Sequence, residues 1–182
     1  MSAEILTLVG SLRAGSHNRQ LAEAALKLAP ADVTLTLFEG LGEVPFYNED
    51  IDTEETLPES AAQLRAAAER ANAFLLVTPE YNGTMPAVLK NAIDWLSRPW
   101  QAGAMLGKPV AVVGTALGQY GGVWAHDEAR KSAKIAGGTV VDDVTLDIPG
   151  SANRFAEAHP YTDAEVTERL TKVLDMLKNA AA

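Results

Sequence analysis

Short apolar runs alternate along the chain with stretches in which apolar residues recur at helical spacing. Residues 5–9 form an apolar run of the kind that predicts a buried strand, and the next stretch carries Leu21, Ala25 and Leu28 at a helical period. This pattern predicts five strands, at 5–9, 33–37, 73–78, 109–115 and 139–146. It also predicts five helices, at 18–29, 59–71, 86–97, 123–136 and 163–178. Thr162 is the expected N-cap of the last helix, with Glu165 three residues further on.

Strict alternation of strands and helices is typical of an α/β fold with a parallel sheet covered by helices on both faces. For five strands the expected arrangement is a flavodoxin-like, doubly wound sheet in the order 2-1-3-4-5. In that order the first and third strands are neighbours, and the winding direction reverses between them. We therefore expect a ligand crevice where the loops after these two strands meet, although they lie about seventy residues apart in the sequence.

Composition narrows the possible functions. A length of 182 residues with 47% hydrophobic content fits one domain, which we expect to span residues 1–182. The net charge of -9 disfavours nucleic-acid binding. No segment is long enough for a membrane span, and the acidic N-terminus does not resemble a signal peptide, so we expect a cytoplasmic protein. Without cysteine there is no thiolate nucleophile and no cysteine metal site, which leaves oxygen and nitrogen groups or a cofactor to supply the chemistry.

The loop after the first strand offers several groups to an anion. Ser11, Ser16 and Asn18 can donate hydrogen bonds to phosphate oxygens, together with the backbone amides at the start of the following helix. Arg13 adds a full positive charge, and His17 is a further candidate for this contact. The alternative is that Ser16 or Asn18 only caps the helix.

This loop differs from the two common nucleotide-binding motifs. It lacks the Gly-x-x-x-x-Gly-Lys-Ser/Thr pattern of ATP and GTP hydrolases. It also lacks a Gly-x-Gly-x-x-Gly pattern with an acidic residue after the second strand, which a dinucleotide cofactor requires. A ligand with a single phosphate fits this loop better.

The loop after the third strand contains Pro79, Glu80, Tyr81, Asn82 and Gly83. Its backbone amides could contact the polar edge of a flat heterocycle, and Tyr81 could form a wall of the pocket. The alternative is an ordinary strand-to-helix turn in which Tyr81 only packs. Glu80 could be an acid or base, but a lone carboxylate is more often an ion-pair or interface residue.

A third loop, after the fourth strand, contains Thr115, Gly118 and Gln119 at the same predicted sheet edge. Its glycines permit close approach to a planar ligand, although flexibility alone would also explain them. The histidines have no metal-ligand spacing, and we expect His126 and His159 to be solvated. We therefore predict no metal site and no catalytic side chain.

With these loops in place, the chain resembles the NAD(P)H-dependent FMN reductase family, which includes soluble quinone, chromate and ferric reductases. Three segments carry the resemblance, and it covers roughly residues 4 to 140. They are Gly10-Ser11-Leu12-Arg13 with Gly15-Ser16 and Asn18, then Pro79-Glu80-Tyr81-Asn82 leading into Leu89-Lys90-Asn91-Ala92-Ile93-Asp94-Trp95, and Gly107-Lys108-Pro109-Val110.

The resemblance implies a tightly bound FMN with NADH or NADPH as co-substrate and a quinone, chromate, ferric complex or free flavin as acceptor. It further implies that Arg13, Ser16 and Asn18 contact the FMN phosphate, that residues 79–83 contact the isoalloxazine and that Thr115 contacts the flavin. Such proteins are usually homodimers or homotetramers. This chain departs from the family pattern around Gln119.

Two alternatives stay open at this point. The chain could be a flavodoxin-like electron carrier that holds FMN without oxidising nicotinamide itself. A hydrolase is disfavoured because the Gly-x-Ser-x-Gly motif is absent. The sequence does not decide between NADH and NADPH, and Arg98 is only a candidate contact for the extra phosphate of NADPH.

Overall fold

A parallel sheet forms the centre of the fold in the computed structural model, which describes residues 3–182. Its strands are β1 (Ala3–Val9), β2 (Val33–Leu37), β3 (Ala73–Val77), β4 (Pro109–Thr115), β5 (Thr139–Val140) and β6 (Leu146–Ile148). The strand order is β2-β1-β3-β4-β5, with β6 also paired to β4. The flavodoxin-like order expected from the sequence is confirmed.

Helices cover both faces of this sheet. They are α1 (His17–Leu28), α2 (Glu59–Arg70), α3 (Ala87–Leu96), α4 (Val123–Ile135), α5 (Ser151–Arg154) and α6 (Ala164–Ala180). Three short 3₁₀ helices, Leu41–Glu43, Glu49–Ile51 and Pro160–Thr162, lie in the connections. Among residues 3–182, no helix combines the length and apolarity needed to cross a membrane.

The central strands are buried on both faces because successive side chains point to opposite sides of the sheet. On one face, Ile5 and Val9 pack with residues of α1 and α6. On the other face, Leu6 and Leu8 pack with residues of α2, α3 and α4. This second core contains Trp95, one of the largest fully buried side chains. The near-continuous apolar strands seen in the sequence are the direct result of this two-sided burial.

The predicted fifth strand at 139–146 is wrong in its extent. Two short strands replace it: β5 pairs with the beginning of β4, and β6 pairs with its end. The exposed residues Asp142 and Asp143 lie between them. Aspartate is disfavoured in strands, so this acidic pair interrupts the ladder where the apolar pattern alone suggested continuity.

The N-cap of α6 is Asp163, and the expectation of Thr162 is wrong. The Asp163 carboxylate accepts a hydrogen bond from the backbone N–H of Val166 at 3.1 Å. It also forms a two-pronged ion pair with Arg154, with distances of 2.6 and 2.9 Å. The hydrogen bond from Arg154 lowers the pKa of Asp163 below its usual value. Thr162 instead belongs to the preceding 3₁₀ helix, where its hydroxyl donates to the carbonyl oxygen of His159.

We expect Asp163→Ala to lower the free energy of unfolding by about 1–2 kcal/mol, since it removes both a helix cap and an ion pair. Asp163→Asn should lose less, because an asparagine can still cap the helix. The carboxylate's stabilisation should be complete above the ordinary pKa of aspartate and lost as the pH falls through the lowered pKa of the folded state.

Urea unfolding of these variants at pH 7 and at acidic pH measures both effects. Asp175→Ala, at an exposed position of the same helix, is the matched control and should change stability by less than about 0.5 kcal/mol. Equal stability of Asp163→Ala and the wild type at pH 7 would contradict the assigned cap.

Candidate functional site

The loops after β1 and β3 lie side by side at the carboxyl edge of the sheet. Val9 and Val77 are register partners in neighbouring parallel strands. The backbone N–H of Gly10 continues the pairing by donating to the Val77 carbonyl oxygen at 2.8 Å. A Cβ at position 10 would lie only 3.0 Å from the Thr78 hydroxyl oxygen, so glycine suits this close approach. The two loops that the sequence singled out therefore begin from adjacent points.

A groove of about 630 Å³ opens beside these loops. Its volume lies within the range of roughly 300–1,000 Å³ that is usual for small-molecule sites. Its lining includes Gly10, Leu12 and Arg13 from the loop after β1 and Tyr81 from the loop after β3. A second hollow of about 440 Å³ also includes Arg13 in its lining and contains Ser11 as well. Arg13 thus borders both hollows.

The N-terminus of α1 is suited to binding an anion. Ser16 is the N-cap residue, yet its hydroxyl makes no capping hydrogen bond. The first turn of α1 has no acidic residue that would compete with an anion. Arg13 is exposed, and its guanidinium donates a hydrogen bond of 3.3 Å to the neighbouring Ala14 carbonyl oxygen. Free helix N–H groups, a hydroxyl and a cation are a combination that binds phosphate.

Asn18 and Thr115 join the first loop to the third loop. The Asn18 amide donates to the Thr115 carbonyl oxygen at 2.9 Å and accepts from the Thr115 N–H at 3.0 Å. Both residues are buried, and the Thr115 hydroxyl donates to the carbonyl oxygen of Ile148. The Asn18 side-chain amide and the polar groups of Thr115 are therefore already hydrogen-bonded within the protein. For a ligand, Asn18 can offer its backbone N–H, which lies at the N-terminus of α1.

His17 contributes little positive charge to this region. Burial lowers its pKa, and the charge of Arg13 lowers it further. The imidazole is therefore largely neutral at pH 7, where it can accept or donate a hydrogen bond. Its ring also meets Phe155 edge-on, with 5.7 Å between the ring centroids.

The loop after β3 is a tight turn. Tyr81 and Thr84 exchange backbone hydrogen bonds of 2.9 and 3.2 Å, and the two residues between them have positive φ angles, 53° at Asn82 and 78° at Gly83. This conformation favours an Asn-Gly pair at these positions. Pro79 is buried, whereas Tyr81, Asn82 and Gly83 are exposed. Of the residues in this turn, Tyr81 lines the groove.

Glu80 has a partner in the next helix. Its carboxylate accepts a hydrogen bond from the Ala125 N–H at 3.3 Å, in the first turn of α4. The N-cap of α4 is Gly122, which has no side chain to satisfy that turn. Glu80 therefore caps α4 from a neighbouring loop, where the helix dipole favours a negative charge.

In the third loop, Gly118 and Gln119 are exposed at the same edge of the sheet. The Gly118 carbonyl oxygen accepts hydrogen bonds from Gly121 and Gly150, at 3.3 and 3.4 Å. Neither Gly118 nor Gln119 lines the groove or the adjacent hollow. The structure thus gives the Gln119 side chain no contact with a ligand in the groove or in the adjacent hollow.

The sequence reasoning missed one wall of the groove, which residues 41–46 form. Asn91 holds this wall by donating to the carbonyl oxygens of Val44 and Pro45 and by accepting from the Tyr47 N–H. The Trp95 indole N–H also donates to the Pro45 carbonyl oxygen, at 2.8 Å. In the sequence, Asn91 and Trp95 stand four residues apart on one predicted helix, and only the structure shows that both are buried.

Arg98 lies outside this groove. Its guanidinium carbon is 5.7 Å from the centre of the Tyr47 ring, and it lines two other hollows together with Trp100. The geometry therefore assigns Arg98 no contact with a ligand in the groove.

The expectation that His126 is solvated is wrong. Its side chain is fully buried and contacts Asp147 and the Thr78 carbonyl oxygen. His159 is partly exposed, with its Nε2 3.6 Å from a Glu23 carboxylate oxygen. Residues 3–182 contain no cluster of three or more His, Asp or Glu side chains that could hold a metal ion.

Comparisons with known proteins agree with this geometry. The family model for NADPH-dependent FMN reductase matches residues 3–152. A 2-hydroxy-1,4-benzoquinone reductase of a Burkholderia species is 44% identical over 130 residues, 71% of this chain and 69% of that protein. A quinone reductase of Pseudomonas putida is 39% identical over 159 residues, 87% of this chain and 84% of that protein.

Among solved structures, the FerB flavoenzyme NAD(P)H:(acceptor) oxidoreductase from Paracoccus denitrificans has a TM-score of 0.87 and 31% identity. The match covers 98% of this chain and 97% of FerB. Fold, sequence and loop chemistry thus lead to the same assignment. The chain belongs to the family of NADPH-dependent FMN reductases.

Proposed function

We propose that this protein is an FMN-dependent NAD(P)H oxidoreductase that reduces quinones, with residues 1–182 as one FMN-binding domain. The observation that carries the proposal is the α1 N-terminus: its N-cap residue Ser16 makes no capping hydrogen bond, and Arg13, three residues earlier, lines a groove of about 630 Å³. A phosphate at the helix and a flat ring in the groove fit one ligand, a flavin mononucleotide.

The FMN-binding residues follow from this placement. We assign the phosphate to Ser11, Arg13, Ser16, His17 and the backbone N–H of Asn18. The isoalloxazine is assigned to the turn at 79–83, where Tyr81 borders the groove. In the third loop, Thr115 supports the site through its hydrogen bonds to Asn18, and we assign the exposed Gly118 and Gln119 to its rim.

FMN, when bound, supplies the redox chemistry by accepting a hydride from NADH or NADPH and passing electrons to the acceptor. The protein itself binds the cofactor and stabilises the negative charge of its phosphate. Backbone N–H groups and Arg13 hold the phosphate within a protein whose net charge is -9. Asn91 and Trp95 keep the wall of the groove in place and thereby fix the width available to a planar ring.

A quinone is the acceptor that the groove suits best. Leu12, Leu41 and Val44 contribute apolar lining, and Phe46 is 76% exposed at the same place. A flat aromatic acceptor can bury apolar surface there. The relatives described above are named quinone reductases, which supports this choice.

The test of this function uses the purified protein, loaded with FMN if necessary. We expect flavin absorption and FMN-dependent oxidation of NADH or NADPH in the presence of benzoquinone. In stopped-flow mixing, the flavin should bleach with NAD(P)H alone. An electron carrier would bleach only after a partner reductase is added, and that result would overturn the proposal.

Arg13→Ala should weaken FMN binding by about 10–100-fold, because a hydrogen bond to a charged group is worth about 1.5–3 kcal/mol. Affinity for riboflavin, which has no phosphate, should change little. Flavin-fluorescence titration measures both constants. Arg70→Ala, at an exposed position on α2, is the charge-matched control. Equal losses for FMN and riboflavin in Arg13→Ala would show that Arg13 does not hold the phosphate.

We further propose that the protein is a homodimer or homotetramer that associates through the surface between α3 and α4. A hollow of about 450 Å³ there is lined by Trp100, Leu106 and Ile135, which are 71%, 50% and 71% exposed. Large apolar side chains gathered at one exposed place favour contact with another protein surface.

We expect light scattering to give at least twice the mass of one chain for the wild type. Ile135→Glu should shift the protein toward the monomer, since a carboxylate is costly to bury at an apolar contact. Leu26→Glu, on α1, is the control and should leave the mass unchanged. A wild type that is monomeric at all concentrations would reject this proposal.

A further inference from the structure

His126, in the first turns of α4, lies fully buried between two hydrogen-bond acceptors. Its Nδ1 contacts a carboxylate oxygen of Asp147 on β6. Its Nε2 lies 3.1 Å from the carbonyl oxygen of Thr78, the residue that begins the loop after β3. One imidazole therefore connects a helix, an edge strand and the base of the turn at 79–83.

Gly114 makes this position possible. It is the register partner of Asp147 in the β4–β6 pair, so both residues face the same side of the sheet. A Cβ added at Gly114 would clash with the Thr78 carbonyl oxygen and with the Nε2 of His126. The missing side chain on β4 thus leaves the space through which His126 reaches Thr78.

The Thr78 carbonyl determines which ring nitrogen of His126 carries a proton. A carbonyl oxygen only accepts hydrogen bonds, so Nε2 must carry a proton. Burial raises the pKa of Asp147, but the hydrogen bond from His126 and the charges of His126 and Arg130 outweigh burial and lower it overall. The Nε2 therefore donates to the Thr78 carbonyl oxygen, and the Asp147 carboxyl group holds the Nδ1 side of the ring.

We propose that His126 is a positioning residue for the flavin-side turn: the imidazole, held by Asp147, fixes the Thr78 carbonyl and so orients residues 79–83. This inference rests on the proposed FMN function, which places the isoalloxazine at that turn. His126 itself does not line the groove. Its effect on the ligand is transmitted through one backbone hydrogen bond.

A second link makes the attachment of the turn more rigid. Glu80, two residues after Thr78, accepts from the Ala125 N–H immediately before His126. The charged groups facing this region are Asp147 from β6, Arg130 from α4 at 3.8 Å from Asp147, and Glu80 from the turn. The α4 N-terminus thus holds the turn at two points, once as donor from the side chain of His126 and once as donor from the main chain.

Two substitutions separate the contacts of His126. Glutamine places its amide nitrogen near the position of Nε2 and can still donate to Thr78, whereas asparagine is shorter and can reach only Asp147. We expect His126→Asn to weaken FMN binding about tenfold, the effect of losing roughly 1.4 kcal/mol of hydrogen bonding, and His126→Gln to retain affinity within about threefold. His159→Asn is the control and should bind FMN as the wild type does.

Amide hydrogen exchange tests positioning without any flavin. In the flavin-free protein, the exchange of Tyr81 and Thr84 amides should accelerate in His126→Asn but not in His126→Gln. If the two variants changed FMN affinity and amide exchange equally, His126 would act only through packing. That result would overturn the proposal.

Nitrogen-15 NMR of histidine-labelled protein at pH 7 tests the proton assignment directly. We expect one histidine whose Nε2 carries a proton protected from exchange with water, and the loss of that signal in both His126 variants. A His126 whose Nε2 carries no proton, or no change in the exchange of the turn in His126→Asn, contradicts the inference. A protein that binds no FMN but gives both spectroscopic results would instead refute the proposed function.

Discussion

The parallel pairing of β1 with β3 decides where this protein can bind a ligand. Their register, with Val9 opposite Val77, brings two loops from distant parts of the chain to adjacent starting points. The helices that follow cover opposite faces, because α1 packs on one core and α3 on the other. The two loops consequently diverge from a common edge and leave a crevice between them, which is the general property of a switch point in an open α/β sheet.

Buried amide side chains give this crevice its shape. Asn18 ties the first loop to the end of β4, and Asn91 ties α3 to the wall at 41–46 and to the adjoining Tyr47. In both cases the amide acts as donor and acceptor at once, so a single side chain satisfies main-chain groups that would otherwise be buried without partners. The binding loops are irregular in backbone, yet they are attached to the rigid sheet and helices at defined points.

The periodicity of apolar residues was enough to predict the strand order and the adjacency of the first and third loops, because both follow from local pattern and the rules for parallel sheets. The division between β5 and β6 was missed since two aspartates, Asp142 and Asp143, interrupt a run whose flanks remain apolar. The wall at 41–46 was not foreseen either, since its position depends on hydrogen bonds to Asn91 and Trp95 more than forty residues away.

His126 shows the same limit for the candidate site. A lone histidine on a helix otherwise rich in charged residues predicts solvation, and only the three-dimensional meeting of α4 with Gly114 and Asp147 buries it. Long-range polar contacts of this kind produce no periodic pattern in a single sequence, because each partner is a common residue type and its neighbours in the chain do not mark it. The chemistry-bearing loops could therefore be read from the chain, while the residues that hold those loops in place became visible only when the sheet brought them together.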